Sequence, residues 1–235
     1  YFAAFAAYAV PATQVFLTPL PSAIAQLAVT GAALAFAAGR RSETMGAMAL
    51  GVGYVTSFFA GYVGLEQFAS WSALILAAGA AGLRLQPGWR SPLVVALPLA
   101  YGVLTVQGLA VWTGLAPTAA ALWLPFLAAF AIFLLPDALA ARGRELAHDD
   151  RVMQNLNAGV AVATGFIVTL RVLPDELAAF WFWSGGLMLV LAVFWWWRSQ
   201  PGSLVPVAAC KASSLLALGV ITEYEGHLRW LVLLL

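Results

Sequence analysis

Apolar residues run through this chain in long blocks, interrupted by charges, prolines and turn-forming residues. Those breaks leave ten apolar stretches, at 1–18, 22–39, 45–65, 68–84, 92–113, 117–135, 155–173, 177–197 and 204–222, with a last one starting at 227. The first nine are each roughly 17 to 22 residues long, and at about 1.5 Å per residue a helix of that length crosses a hydrocarbon core near 30 Å thick. The blocks do not alternate polar with apolar as barrel strands do, and a backbone in lipid must satisfy its hydrogen bonds within its own segment, which leaves helices. The predicted fold class is therefore all-α: a polytopic transmembrane helix bundle of nine complete spans and a truncated tenth.

Composition strengthens this reading. The chain is 63% apolar and 9% charged, with a mean hydropathy of +0.91, whereas a soluble domain carries about 25% charged residues. A soluble bundle of this length has no means of hiding so much apolar surface. The net charge of +1, with no cluster of Lys or Arg, excludes a nucleic-acid partner. Cys210 is the single cysteine, so no internal disulfide forms. The chain opens at Tyr1 without a methionine and stops at 231–235 inside an apolar run, as expected of a part of something longer.

The breaks carry their own signals. Pro92 and Pro117 stand where a first helical turn tolerates a missing N–H. Trp71, Trp89, Trp112, Trp123, Trp181, Trp183, the run 195–197 and Trp230 lie mostly near span ends, the pattern of an aromatic belt at the two bilayer surfaces. Span four, with Ala77, Ala78, Gly79, Ala80, Ala81 and Gly82, is weakly apolar and is expected to pack inside the bundle rather than face lipid.

Basic residues divide unevenly between alternate loops. Arg40, Arg41, Arg84, Arg90, Arg142, Arg144, Arg151 and Arg198 fall on one side, and only Arg171 and Arg229 on the other. By the positive-inside rule the first side is cytoplasmic, with the N-terminal end of span one. Glu66, Asp175, Glu176, Glu223 and Glu225 then face out. The expected location is the cell inner (plasma) membrane. Three regions follow: helices one to six in 1–136, a charged cytoplasmic loop in 137–154, whose stretch 137–151 reads as a solvated loop or a short interfacial helix, and helices seven to nine with the start of a tenth in 155–235.

Candidate chemistry is sparse. Ala49, Gly53, Ser57 and Gly61 recur every fourth residue, as do Asn157, Ala161 and Gly165. Such faces let helix backbones approach closely, so Ala49, Gly53, Ser57, Gly61, Ala161 and Gly165 are read as helix-packing positions. Lys211 lies about seven residues, or about 10 Å, into its span. A charge at that depth either snorkels or finds an acceptor, and it marks a functional site or a specific ion pair. Ser213, Ser214, Asn157 and Gln107 are the polar residues that would join it, and Gln67 and Thr164 are read as interhelical glue. His148 and His227 fall on opposite sides and make no joint metal site, and His148 with Asp149 and Asp150 is a solvated cluster. No catalytic, cofactor-binding or metal-binding residue is assigned.

The runs GAMALGVGYVTSFFAGYVGLEQFASWSALILAAGAAGLRLQPGWRSPLVVALPLAYGVLTV, QNLNAGVAVATGF and KASSLLALGVITEYEGHLRWLVLLL resemble a family of large predicted multi-pass bacterial membrane proteins of unknown function. The likeness covers residues 30 to 235 and rests on Arg40, Arg41, Gly51, Gly53, Tyr54, Asn157, Gly159, Lys211, Gly226 and Trp230. It implies a longer protein with further helices on both sides, and it brings no activity. The expected function is a non-enzymatic membrane scaffold or subunit of a larger envelope assembly, whose partners are membrane lipids and other membrane-protein subunits. The alternatives are a transporter or channel for a polar or anionic solute past Lys211, and an intramembrane enzyme acting on lipid or a lipid-linked sugar near residues 137–151.

Overall fold

The computed structural model describes residues 18–86, 88–111, 119–141, 146–198 and 204–224. Among them are eight α-helices and no strand: α1 (Pro19–Arg40), α2 (Glu43–Tyr62), α3 (Glu66–Arg84), α4 (Ser91–Val111), α5 (Ala119–Ala140), α6 (His148–Val172), α7 (Leu177–Trp197) and α8 (Leu204–Glu223). A 3-10 turn at Pro174–Glu176 leads into α7. Seven of the eight are long and apolar enough to cross a bilayer; α3 is not among them. Polar Glu66 and Gln67 at its start and the Ala and Gly run at its end lower its hydropathy. Of the expected nine complete spans and a tenth, the described residues show seven such helices. The stretches 1–18 and 227 onward lie outside the described residues, save Thr18, as does Pro117.

The segment 137–154, expected to be a loop, is helical at both ends. Helix α5 runs on to Ala140 and α6 begins at His148. Ala138, Leu139 and Ala140 are good helix formers, and Asp149 and Asp150 sit in the first turn of α6, where carboxylates favour the N-terminal end of the helix dipole.

The described residues form two compact units. The first holds α1 to α4 and residues 124–136 of α5. Its helices are joined by tight turns. Arg41 takes up the left-handed conformation (φ 51°) and its N–H, with that of Ser42, closes the end of α1 on Ala38 and Ala37 carbonyls. Ser42 then caps α2 through Met45 N–H. Glu43 reaches across to the next turn at this end, where its carboxylate accepts the N–H groups of Arg90 and Ser91 at the start of α4. A charge placed on those unsatisfied donors stabilises the helix start, and it ties the turns bearing Arg40, Arg41, Arg84 and Arg90 to one end of this unit. Pro92 occupies the second position of α4.

Helix α2 is the hub of this unit. A Cβ at Gly53 would lie 2.7 Å from Thr30 Cγ2 of α1 and 3.1 Å from Leu76 of α3, and one at Gly61 would run into the Gln107 amide of α4. Between them Ser57 accepts a 2.8 Å hydrogen bond from Ser72 of α3. Tyr54, on the same side, donates to the Ala73 carbonyl of α3. Ala49 is half-buried at the near end of the row. Helix α3 buries Ala69, Ala73, Ala77, Ala80 and Ala81, whereas Ala78 and Gly82 of the run expected to pack inside are exposed. On the other side of the unit Tyr101 of α4 packs on Phe126 and Phe133 of α5.

The second unit contains α6, α7, α8 and residues 119–123 and 137–140 of α5. Helices α7 and α8 interlock reciprocally. A Cβ at Gly185 of α7 would come 2.8 Å from Leu216 of α8, and one at Gly219 of α8 would come 3.0 Å from Phe182 of α7. Gly165 of α6 similarly leaves room for Phe180, whose ring meets Trp181 and Trp123, while Ala161 is half-buried.

The tryptophans divide. Trp71, Trp183, Trp196 and Trp197 are exposed, as an aromatic belt requires, whereas Trp89, Trp181 and Trp195 are buried in packing. Within the run 195–197 the helix turn sends one indole inward and two outward. Trp112 and Trp230 lie outside the described residues.

Gly53→Leu and Gly61→Leu are expected to lower the monodisperse fraction recovered in detergent, since each forces side chains out of a filled site at a cost of about 1–3 kcal/mol. Gly51→Leu, where a Cβ meets open space, is expected to leave it unchanged.

Candidate functional site

The second unit carries the site that the sequence marked most sharply. Helices α6 and α8 run in the same direction because α7 returns between them. Lys211 lies seven residues after the start of α8, and its Nζ donates a 2.8 Å hydrogen bond to the carbonyl of Asn155, seven residues after the start of α6. The Cα–Cβ bond of a helical residue tilts toward the N-terminus, so the side chain reaches back toward the end where both helices begin. An ammonium has three donors; Asn155 engages one, and no anion pairs with Lys211 among the described residues.

Beside this contact a groove of about 570 Å³ runs between α6 and α8 over Trp181 of α7. Its walls are Gly159, Val162 and Ala163 on one side and Val207 and Leu218 on the other, with Lys211, Cys210 and Ser214 along its edge. The walls are overwhelmingly apolar. Behind Lys211 a small enclosed space touches Gln154, Asn155 and Trp195. Trp195 is fully buried, and its Nε1 has no hydrogen-bond partner among the described residues.

The other candidates separate. Ser214 shares the groove edge with Lys211. Ser213 is exposed and turns its hydroxyl back to the Cys210 carbonyl of its own helix. Asn157 is buried in α6 and does not line the groove. Gln107 belongs to the first unit, buried against Gly61, and its Oε1 accepts no hydrogen bond among the described residues. Gln67 is exposed, and Thr164 bonds back to the Val160 carbonyl of its own helix. His148 is exposed at the start of α6, and no group of three or more His, Cys, Asp or Glu side chains gathers among the described residues. His227 lies outside them.

No family model, curated protein or solved structure matches the chain. Function is therefore argued from geometry and chemistry.

Two polar contacts of this unit were not anticipated. Gln154 Nε2 donates at 2.6 Å to Oδ2 of Asp137, a residue 1% exposed. Trp123 Nε1 donates at 2.9 Å to the Thr169 hydroxyl, which itself bonds the Gly165 carbonyl. The first was legible in part: Phe126, Phe130, Phe133 and Asp137 follow helical spacing, and the three rings are buried. An acid that continues an inward row is a buried acid.

Gln154→Ala is expected to destabilise the protein by about 1–3 kcal/mol, because it withdraws a donor from a buried carboxylate. Thermal unfolding in detergent, compared with Gln154→Glu as a second variant that adds a repelling acid, measures it; the order of stability expected is wild type, Ala, then Glu.

Proposed function

We propose that this chain is a multi-pass protein of a bacterial inner membrane and that it acts as a non-enzymatic scaffold or as a subunit of a larger cell-envelope assembly. The observation that carries this reading is the outward surface of the helices. Phe58 and Phe59 on α2, Leu124 and Leu135 on α5, and Val190 and Val193 on α7 are all exposed. Apolar faces of this extent on several helices belong against lipid or against other proteins. The small residues, meanwhile, are spent on contacts between helices within each unit, which is what a packing framework requires.

The resemblance to longer multi-pass bacterial proteins agrees with a subunit role, with further helices supplying neighbours. The uneven distribution of arginines supports an orientation with the Arg40, Arg41, Arg84 and Arg90 end in the cytoplasm. The transport alternative draws on Lys211, but α6 and α8 pass it as unbroken helices. A polar solute entering between their apolar walls would lose hydration without replacement.

Two measurements test the proposal. In a Cys210→Ser background, Arg41→Cys is expected to label from the cytoplasmic face and Glu66→Cys from the opposite face; labelling of both from one side contradicts the orientation. The chain is further expected to resist alkaline extraction from membranes, to migrate in mild detergent as an assembly larger than one 24.8 kDa chain, and to give vesicles no chloride or phosphate flux. A flux that Lys211→Met abolishes would overturn the scaffold reading in favour of transport.

A further inference from the structure

We infer that the groove between α6 and α8 is a binding site for an anionic phospholipid of the surrounding bilayer, with the lipid phosphate against Lys211 and an acyl chain along the groove. The inference rests on the membrane reading above and goes beyond it by assigning a ligand to a place.

The groove volume of about 570 Å³ falls in the range of roughly 300–1,000 Å³ usual for ligand sites. Its walls offer an occupant almost nothing polar, so a free anion would gain only Lys211 and would forfeit its hydration. An uncharged hydrocarbon would leave the ammonium without a counter-charge. A molecule with an apolar chain and an anion at one end satisfies both parts.

Depth selects a lipid of the bilayer. Helix α6 is 25 residues long, whereas about 20 suffice to cross the hydrocarbon core. Its surplus lies at the start, where His148, Asp149, Asp150, Arg151 and Gln154 make the first two turns polar. The apolar stretch begins past Asn157, half a turn beyond Asn155, the residue to which Lys211 is bonded. On α8 Lys211 follows seven apolar residues, and its stem reaches back toward the end where α6 and α8 begin, so a lipid entering from that side meets the ammonium with its phosphate drawn inward and its chain along the groove. Arg151 precedes Asn155 by four residues and so lies on the same face one turn nearer the headgroups; its Nε makes no hydrogen bond among the described residues. Asp149 and Asp150 stand further out in the first turn, where the helix N-terminus holds negative charge.

Native mass spectrometry of the full chain in detergent tests the site, with dioleoyl phosphatidylglycerol and dioleoyl phosphatidylcholine as probes that share acyl chains and differ in charge. The wild type is expected to retain phosphatidylglycerol in preference. Lys211→Met is expected to weaken that lipid about fivefold, the worth of one cation near a membrane surface, and to leave phosphatidylcholine unchanged. Gly159→Leu, which adds bulk to the groove where a Cβ meets open space, is expected to weaken both and provides the test if Lys211→Met fails to fold. Glycerol phosphate, with no chains, is expected not to compete.

Equal retention of the two lipids by the wild type, or no effect of either substitution, overturns the lipid site. A doubled mass that Gly159→Leu returns to one chain, without lipid preference, also overturns it and assigns the groove to a second copy. Flotation with vesicles separates the two levels: a chain that floats but shows no charge preference leaves the membrane reading standing, and one that does not float removes both.

Discussion

Helix α2 meets α1, α3 and α4 through a single row of small residues, and the first unit depends on that row. In water, apolar burial would hold such helices together; lipid is as apolar as leucine, so close contact and hydrogen bonds must do it. Gly53 admits Thr30 and Leu76, and Gly61 admits the Gln107 amide. Ser57 adds a hydroxyl bond to Ser72, an interaction of about 0.6 kcal/mol for such pairs in membranes. None of these groups tolerates a larger neighbour. The row therefore fixes both the rotation of α2 and its separation from three others.

The same logic takes a different form in the second unit. There, the glycines of α7 and α8 lie opposite large side chains, Gly185 under Leu216 and Gly219 under Phe182. The two helices lock in both directions, and α6 adds a third contact at Gly165. Polar side chains fill what the glycines do not, through Trp123 with Thr169 and Gln154 with Asp137. Lys211 fits this economy only in part, since it lines the same small cavity as Trp195 while its ammonium finds one backbone carbonyl.

Helix positions were legible because a bilayer demands long uninterrupted apolar runs, and the breaks at Arg40–Arg41 and Pro174 are breaks in the chain as well, whereas the break read at Glu66 and Gln67 falls earlier, between Tyr62 and Glu66. Boundaries were less so: residues 137–140 and 148–154 read as loop through their charge, yet alanine-rich sequence extends α5 and acidic residues in the first turn favour the start of α6. The row on α2 was visible from spacing alone. The Gly185–Gly219 pair was not, because the adjacent glycines of α7 and the single glycine of α8 make no spaced repeat, and the fit depends on Leu216 and Phe182 from the facing helix. Trp195 was read as a belt residue, for sequence does not tell which of three adjacent indoles turns inward. The groove beside Lys211 needs two helices 56 residues apart, and no local pattern announces it.

Placing the small face of α2 inward leaves Phe58, Phe59 and Val55 outward, which is the basis for proposing that the chain packs against lipid or other membrane proteins. The claim that α2 turns its Ser57 side onto α3 is tested most directly by a cysteine pair. Ser57→Cys with Ser72→Cys, in a Cys210→Ser background and oxidised in native membranes, is predicted to form a disulfide, detected as the loss of two hydrogens by mass spectrometry. The serine hydroxyls are 2.8 Å apart, close enough for a bridge of normal geometry. Pairing Ser72→Cys with Thr56→Cys, whose side chain bonds its own helix at an exposed position, is predicted not to cross-link. No disulfide in the first pair, or equal yields in both, would contradict this packing.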